Sequence, residues 1–315
     1  MTVKQIFNLA LKMGIEADPR GKRGVEKWLD RQKKKYQKLP KEEKEFFDRE
    51  RLTNPYADTR LLCGDPNKKV KTVLAGIDVE AAEIALARTL GKEIDLIITH
   101  HPAGKALAAL DEVMHLQADL LASLGVPINV AEGVMKERIQ EVRRKLSPAN
   151  HLRAVQAAQL AGIPMMCLHT VCDNLVTQYV QRYLDRKKFD TLAEVIAALR
   201  RIPEYKTAAQ HNAGPAIFAG APENRPGKIV VSEMTGGTEG AKEIYEKLAQ
   251  AGVGTVVGMH IRDENREEAL KHHINVVVAG HISSDSLGMN LFLDKLAQKG
   301  IKIIPCSGLI RVRRK

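Results

Sequence analysis

The 315-residue chain predicts an α/β fold of two related lobes with mainly parallel or mixed sheets, preceded by a helical N-terminal extension. Three observations carry that expectation. From about Lys71, short apolar runs alternate with stretches of helical period, the rhythm of βαβ units. The run IDLIIT is apolar throughout, as strands covered on both faces are. The order strand–histidine–helix occurs twice, in IDLIITHHP and in INVVVAGHISSD.

Residues 3–14 place Ile6, Leu9, Leu11 and Met13 near a helical period, and Gly14 is expected to end that helix. Residues 22–51 read as one or two charged helices broken near Leu39-Pro40, and Asn54-Pro55-Tyr56 as a turn. Residues 1–55 are thus expected to form a charged helical extension. In the first lobe, 56–205, KTVLAGID is a strand closed by Ile77-Asp78. VEAAEIALARTLGK is a helix stopped by Gly91, IDLIIT a strand and HHPAGK a loop. Residues 111–124 read as a helix and VPINVAE as a short strand. GVMKERIQEVRRKLS and NHLRAVQAAQLAG are helices parted by Ser147-Pro148, IPMMCLH is a strand, and residues 174–200 are helical. The stretch from Ile202-Pro203 to about Pro226 is the least regular and marks the break to a second lobe, 206–315. There GKIVVSEM, VGTVVGMH, INVVVAGH and IKIIPCSGLIRV read as strands. Helices in GGTEGAKEIYEKLAQAG, DENREEALKHH and SSDSLGMNLFLDKLAQKG alternate with them.

A composition of 44% hydrophobic and 28% charged residues excludes a disordered chain. No apolar run approaches the roughly 20 residues that span a bilayer, and the N-terminus lacks an apolar core with a small-residue cleavage site. The expectation is a cytoplasmic protein with no membrane partner. Cys63, Cys167, Cys172 and Cys306 form no C-x-x-C pair and are expected to be reduced and mostly buried, with Cys167 and Cys306 packed in the core. Of the net charge of +11, the first 60 residues hold 16 Lys+Arg against 10 Asp+Glu, and Arg311, Arg313, Arg314 and Lys315 add four more. Aromatics are only 4%, which leaves little to stack on exposed bases. The run RQKKKYQKLPKEEKEFFDRERL mixes both signs, so it reads as a solvated helical face, and nucleic-acid binding through the basic N-terminus is the lesser reading.

The ten histidines carry the chemistry. Three of the strongest apolar strands end in histidine: at His100-His101, at His169 and at His281. Ligands bind at the carboxyl ends of strands in open α/β sheets, so these points are expected to share one site. His169-Thr-Val-Cys-Asp173 and His281-Ile-Ser-Ser-Asp285 are both H-x-x-x-D. In a helical turn, residues i and i+4 share a face, and an imidazole beside a carboxylate suits zinc, iron or manganese. Neighbours in a strand point to opposite faces, but before Pro102 the backbone can turn. His100 and His101 then reach one cleft and serve two different ions, a common hydrolytic device with metals about 3.5–4 Å apart. His115 and His151 are expected to be packed or at the surface, and His272-His273 to be structural at a helix end. Glu233, Thr235 and Thr238 in SEMTGGTEG sit at a strand-to-helix turn whose glycines suit an anion, with an ordinary turn as the simpler reading. No phosphate-binding G-x-x-x-x-G-K-[ST] and no G-x-S-x-G is present.

DLIITHHP, LHTVCDN and AGHISSDSLG, in this order, resemble the Nif-three-like proteins, many of them described as GTP cyclohydrolase I type 2 homologues. The resemblance covers roughly residues 55–310 and includes LTNPYADTRLLCGDP, without the tryptophan usual there. It implies two related α/β lobes with a dinuclear metal centre in the cleft between them, held by His100, His101, Asp173, His281 and Asp285. His169 matches a family histidine that adds a ligand, orients one or moves a proton, and it takes the catalytic place. The implied cofactors are two divalent transition-metal ions (zinc, iron or manganese), and the implied assembly is a ring-shaped homo-oligomer. Three departures stand out: Asp285 where glutamate is usual, an insertion over about 126–165, and the N-terminal extension. The expected function is a metal-dependent hydrolase that attacks a C–N or P–O centre of a nucleotide-like or phosphorylated small molecule. A non-catalytic metal-handling or regulatory interaction protein is the alternative.

Overall fold

The computed structural model describes residues 1–89 and 93–314, so the helix stop expected at Gly91 lies outside the described residues. Among the described residues the strands are β1 (Thr59–Cys63), β2 (Thr72–Gly76), β3 (Leu96–Thr99), β4 (Met165–Leu168), β5 (Ala216–Ala219), β6 (Lys228–Glu233), β7 (Val253–Gly258), β8 (Asn275–Val278) and β9 (Lys302–Cys306). They build two sheets, in the orders β1-β4-β3-β2-β9 and β5-β8-β7-β6. In the first, β4, β3, β2 and β9 run parallel and β1 closes one edge antiparallel. In the second, β8, β7 and β6 run parallel and β5 is the antiparallel edge. The α/β architecture with two similarly built, mainly parallel sheets is therefore as the sequence predicts.

The pleat divides each strand between two cores. On the first sheet, Val73, Ala75 and Ile98 face a cluster with Val3, Ile6 and Phe292, whereas Leu74 and Ile97 face one with Val155 and Ala158. On the second, Val230, Val256 and Val276 meet Met135 and Leu248, while Val231, Val257 and Val277 meet Val180 and Leu287. With helices on both faces, β3, β4 and β8 are buried at every residue, which explains their unbroken apolar sequence.

Several local expectations differ from what is seen. The helix Val3–Glu16 runs past Gly14. That glycine is required by packing instead: a Cβ there would lie 2.7 Å from Val171 Cγ2. The helix is also no mere appendage, because Val3, Ile6, Phe7 and Ala10 enter the core of the first sheet. Each large apolar side chain buried this way contributes about 1.5–3 kcal/mol. VPINVAE is not a strand; Ile128 begins a helix that runs to Leu146 with Ala131, Met135, Ile139 and Val142 buried. Tertiary burial of that stripe overrides the local β-branched pair Ile128 and Val130. The edge strands β1 and β5 were not anticipated, since both are short, bulged and only partly covered. Finally, β9 does not close the second sheet but crosses back and pairs with β2, Ala75 standing opposite Pro305. Contiguous halves of the chain thus do not map one-to-one onto the sheets.

Candidate metal centre

The carboxyl ends of β3, β4 and β8 converge at one cleft. The parallel ladder continues two residues beyond β3: the His100 N–H donates to Gly76 O and the His101 N–H to Ile77 O, both at 3.0 Å. The paired histidines are therefore held by sheet hydrogen bonds before the chain turns at Pro102. His169 and His281 each open a helix, His169–Asp185 after β4 and His281–Ala297 after β8. One turn later these helices present Asp173 and Asp285, the helical geometry that the H-x-x-x-D spacing implies. Gly280, with φ +110°, makes the sharp entry into the second of them.

The six side chains singled out from the sequence all meet here. His100 Nε2 lies 3.4 Å from Asp173 Oδ1 and 3.3 Å from Asp285 Oδ1. His101 Nε2 and His281 Nε2 lie 3.3 and 3.5 Å from the other Asp285 oxygen. The His169 ring centroid is 4.9 Å from that of His100. Although one methylene shorter than glutamate, Asp285 thus turns an oxygen toward each of two histidine sets. Donor atoms fall into three overlapping groups, each within 4.8 Å: His100, His101 and His169; His101, His281 and Asp285; His100, Asp173 and Asp285.

Three of the rings are oriented from behind. Nδ1–H of His100 donates to Leu168 O at 3.3 Å, that of His101 to Asp78 at 2.6 Å, and that of His169 to Asp58 at 2.8 Å. With Nδ1 carrying the proton, each ring presents an Nε2 lone pair, as metal-ligating histidines do. The interior is also short of hydrogen bonds. His100 Nε2, Asp173 Oδ1 and both Asp285 carboxylate oxygens are buried and make none. Leaving four such atoms unpaired in one place would be costly, and a cation removes the cost. The residues present therefore fit a metal, and these buried His/Asp clusters could bind metal ions.

The charges are tightly coupled. Burial alone would raise the Asp285 carboxyl, but His100 and His101 outweigh it and hold the group far below the carboxylate range. Burial pulls His100 down, but Asp285 and Asp173 raise it well above an ordinary histidine. His281 and His260 are both lowered, chiefly by burial.

A cavity of about 270 Å³ opens beside the cluster, lined by His101, His169 and Asp173 from the first sheet's strand ends and by His281, His260, Glu233, Thr235 and Glu239 from the second's. The sequence reading missed four of the residues that shape this site. Asp58 and Asp78 orient His169 and His101, and Asp78 could have been flagged because it stands at the carboxyl end of β2. His260 follows β7 as the other histidines follow their strands, and its ring is 5.0 Å from that of His281. Glu239 lines the cavity with Glu233, which the sequence did single out. In SEMTGGTEG, the Gly240 N–H that an anion would need is taken by Glu233 itself, at 3.1 Å. The carbonyls of Gly236 and Thr238 accept from the Gln117 amide. His115, His151, His272 and His273 lie outside the cluster, and His151 Nε2 is bonded to Leu146 O.

This fold is similar to the crystal structure of a NIF3 superfamily protein from Sphaerobacter thermophilus, with a TM-score of 0.75 and 25% identity, over 98% of this chain and 99% of that one. The chain resembles that NIF3 superfamily protein over nearly its whole length. The match includes the N-terminal helices, which the sequence resemblance had left outside. The fold is shared with reduced HcgD from Methanocaldococcus jannaschii, with a TM-score of 0.53 and 16% identity over 84% of this chain and 94% of that one. No protein-family model and no curated protein matches the chain. No described helix is long and apolar enough to cross a membrane.

Proposed function

We propose that this protein is a metal-dependent hydrolase of a small phosphorylated or nucleotide-like molecule, with two divalent transition-metal ions (zinc, iron or manganese) held by His100, His101, Asp173, His281 and Asp285. The carrying observation is that two donor groups, His101–His281–Asp285 and His100–Asp173–Asp285, are separate except for one shared carboxylate. That is the donor set of a paired-ion site, with His100 and His101 divided between the ions. Bound there, the ions would lower the pKa of water to near neutrality and neutralise negative charge that develops on the substrate.

The chain's own residues supply the rest. Asp58 and Asp78 fix the tautomers of His169 and His101. His169, at the cavity wall, is placed to move a proton or complete the ligand set. The cavity of about 270 Å³ is at the small end for ligand sites, so it admits the reacting end of a nucleotide rather than the whole of it. A cytoplasmic, ring-forming homo-oligomer and lobes divided near residue 205 complete the proposal and rest on the family resemblance and on the two similar sheets.

The test is metal analysis together with turnover. The purified protein is expected to take up two transition-metal equivalents per chain and to hydrolyse members of a nucleotide and phosphoester panel. The Asp173→Ala, Asp285→Ala variant should lose both. Tight metal uptake with no turnover would favour a metal-handling protein, and a folded chain that takes up no metal would end the proposal.

A further inference from the structure

The cavity that the histidines line is also walled by an acid that the metal centre does not use. Glu233 is the last residue of β6 and is 8% exposed. Its Oε2 accepts the Gly240 N–H at 3.1 Å, while Oε1 has no hydrogen-bond partner among the described residues. The loop that carries it is rigidly seated. Gly236 and Gly237 have positive φ, and a Cβ on either would meet Gln117 Cγ at 2.7 Å or Val113 Cγ1 at 2.9 Å. Glu239, the neighbouring acid, is spoken for: Arg262 binds its two oxygens through N–H and Nε, at 2.8 and 3.0 Å.

We propose that Glu233 is the proton donor to the leaving group, and that the substrate is therefore an ester or amide-like compound whose departing group is basic. The inference rests on the hydrolase reading above. The other polar walls of the cavity are ill suited to donate. His101, His169, Asp173 and His281 belong to the donor set, and both Glu239 oxygens are already taken by Arg262, although burial raises that carboxyl too. Burial and the charge of Glu239 push the Glu233 carboxyl up to about 7, against the opposing pull of the Gly240 N–H, Arg262 and Arg138. The remaining neighbours are the Tyr245 hydroxyl, the neutral Gln117 amide and His260, whose imidazole burial keeps neutral. An acid poised near the working pH is what proton transfer favours. In the step itself, the bond from the central phosphorus or carbon to the leaving atom breaks as that atom takes the Glu233 proton. One water is consumed: its hydroxyl ends on the central atom and its second proton restores Glu233.

The experiment compares wild type with Glu233→Gln on two probes, p-nitrophenyl phosphate, whose leaving group needs no proton, and glycerol 2-phosphate, whose leaving group does. Metal content should be unchanged, because the amide still accepts from Gly240. Turnover of glycerol 2-phosphate should fall by about 100-fold or more, and that of p-nitrophenyl phosphate by less than about 10-fold. Equal losses on both probes, or none, would overturn the inference and leave the hydrolase reading standing. No turnover of either probe by metal-loaded wild type would overturn both. Infrared difference spectra give a reading independent of turnover. A protonated-carboxyl band should vanish between about pH 6 and 8 in wild type and be missing in Glu233→Gln, and a carboxyl ionised throughout that range would refute the assignment.

Discussion

Asp58 shows how a single side chain sets the chemistry of another. It is fully buried, and its Oδ2 accepts from His169 Nδ1 at 2.8 Å and from Thr170 Oγ1 at 2.6 Å. The carboxylate selects the His169 tautomer that leaves Nε2 free for the cluster. Replacing Asp58 with Asn removes the negative charge and allows the ring to flip. The Asp58→Asn variant is expected to bind metal about 10- to 100-fold more weakly while staying folded, as measured by competition with a chromophoric chelator. An unchanged affinity would show that His169 takes no part in metal binding. At this scale the clustered histidines were legible because each ends an apolar strand, a local pattern. Asp58 was not, because its partner lies 111 residues away and nothing in NPYADTR marks the residue as a hydrogen-bond acceptor for a ring.

The two helices that carry the H-x-x-x-D pairs, His169–Asp185 and His281–Ala297, pack directly on each other. They come close at Gly288, where a Cβ would clash with the Cys172 carbonyl oxygen. Cys172 Sγ also rests 3.5 Å from Met289 Sδ. That contact lies next to Asp173 on one helix and three residues past Asp285 on the other, so it sets how near the two carboxylates come. Gly288→Ala must push the helices apart. It should cost about 3 kcal/mol of stability in urea unfolding and reduce the metal bound per chain. Wild-type metal content in the variant would mean that the site tolerates a wider helix spacing. Secondary structure was mostly readable at this level, since buried parallel strands and amphipathic helices leave strong periodic patterns. The failures fall where local preference and tertiary burial disagree. Residues 126–132 read as a strand, but from Ile128 on they belong to a helix whose stripe at Ala131, Met135, Ile139 and Val142 packs beneath the second sheet.

Over the whole molecule, the site joins the two sheets. The clustered histidines and aspartates arrive from β3 and β4 on one side and from β8 on the other, and the loop after β6 helps line the cavity. Bound ions would therefore tie together parts of the chain that are far apart in sequence. A ligand that binds only the folded state adds about 4 kcal/mol of stability at a thousand times its Kd. Stripping metal with a chelator should accordingly lower Tm by roughly 8–10 °C, and adding back zinc, iron or manganese should restore it. Calorimetry of stripped and reloaded protein would decide, and an unchanged Tm would argue against resident ions. From its sequence alone the chain determined its α/β class, its parallel strands and the identity of six clustered side chains, because burial on both faces and i, i+4 spacing are written in consecutive residues. Only the tertiary structure decided that β9 returns to the first sheet, that Asp58 and Asp78 stand behind the histidines, and that Glu233 lines the same cavity as they do. Those are contacts between distant segments, set by how helices and sheets pack around a shared core, and no local window of sequence contains them.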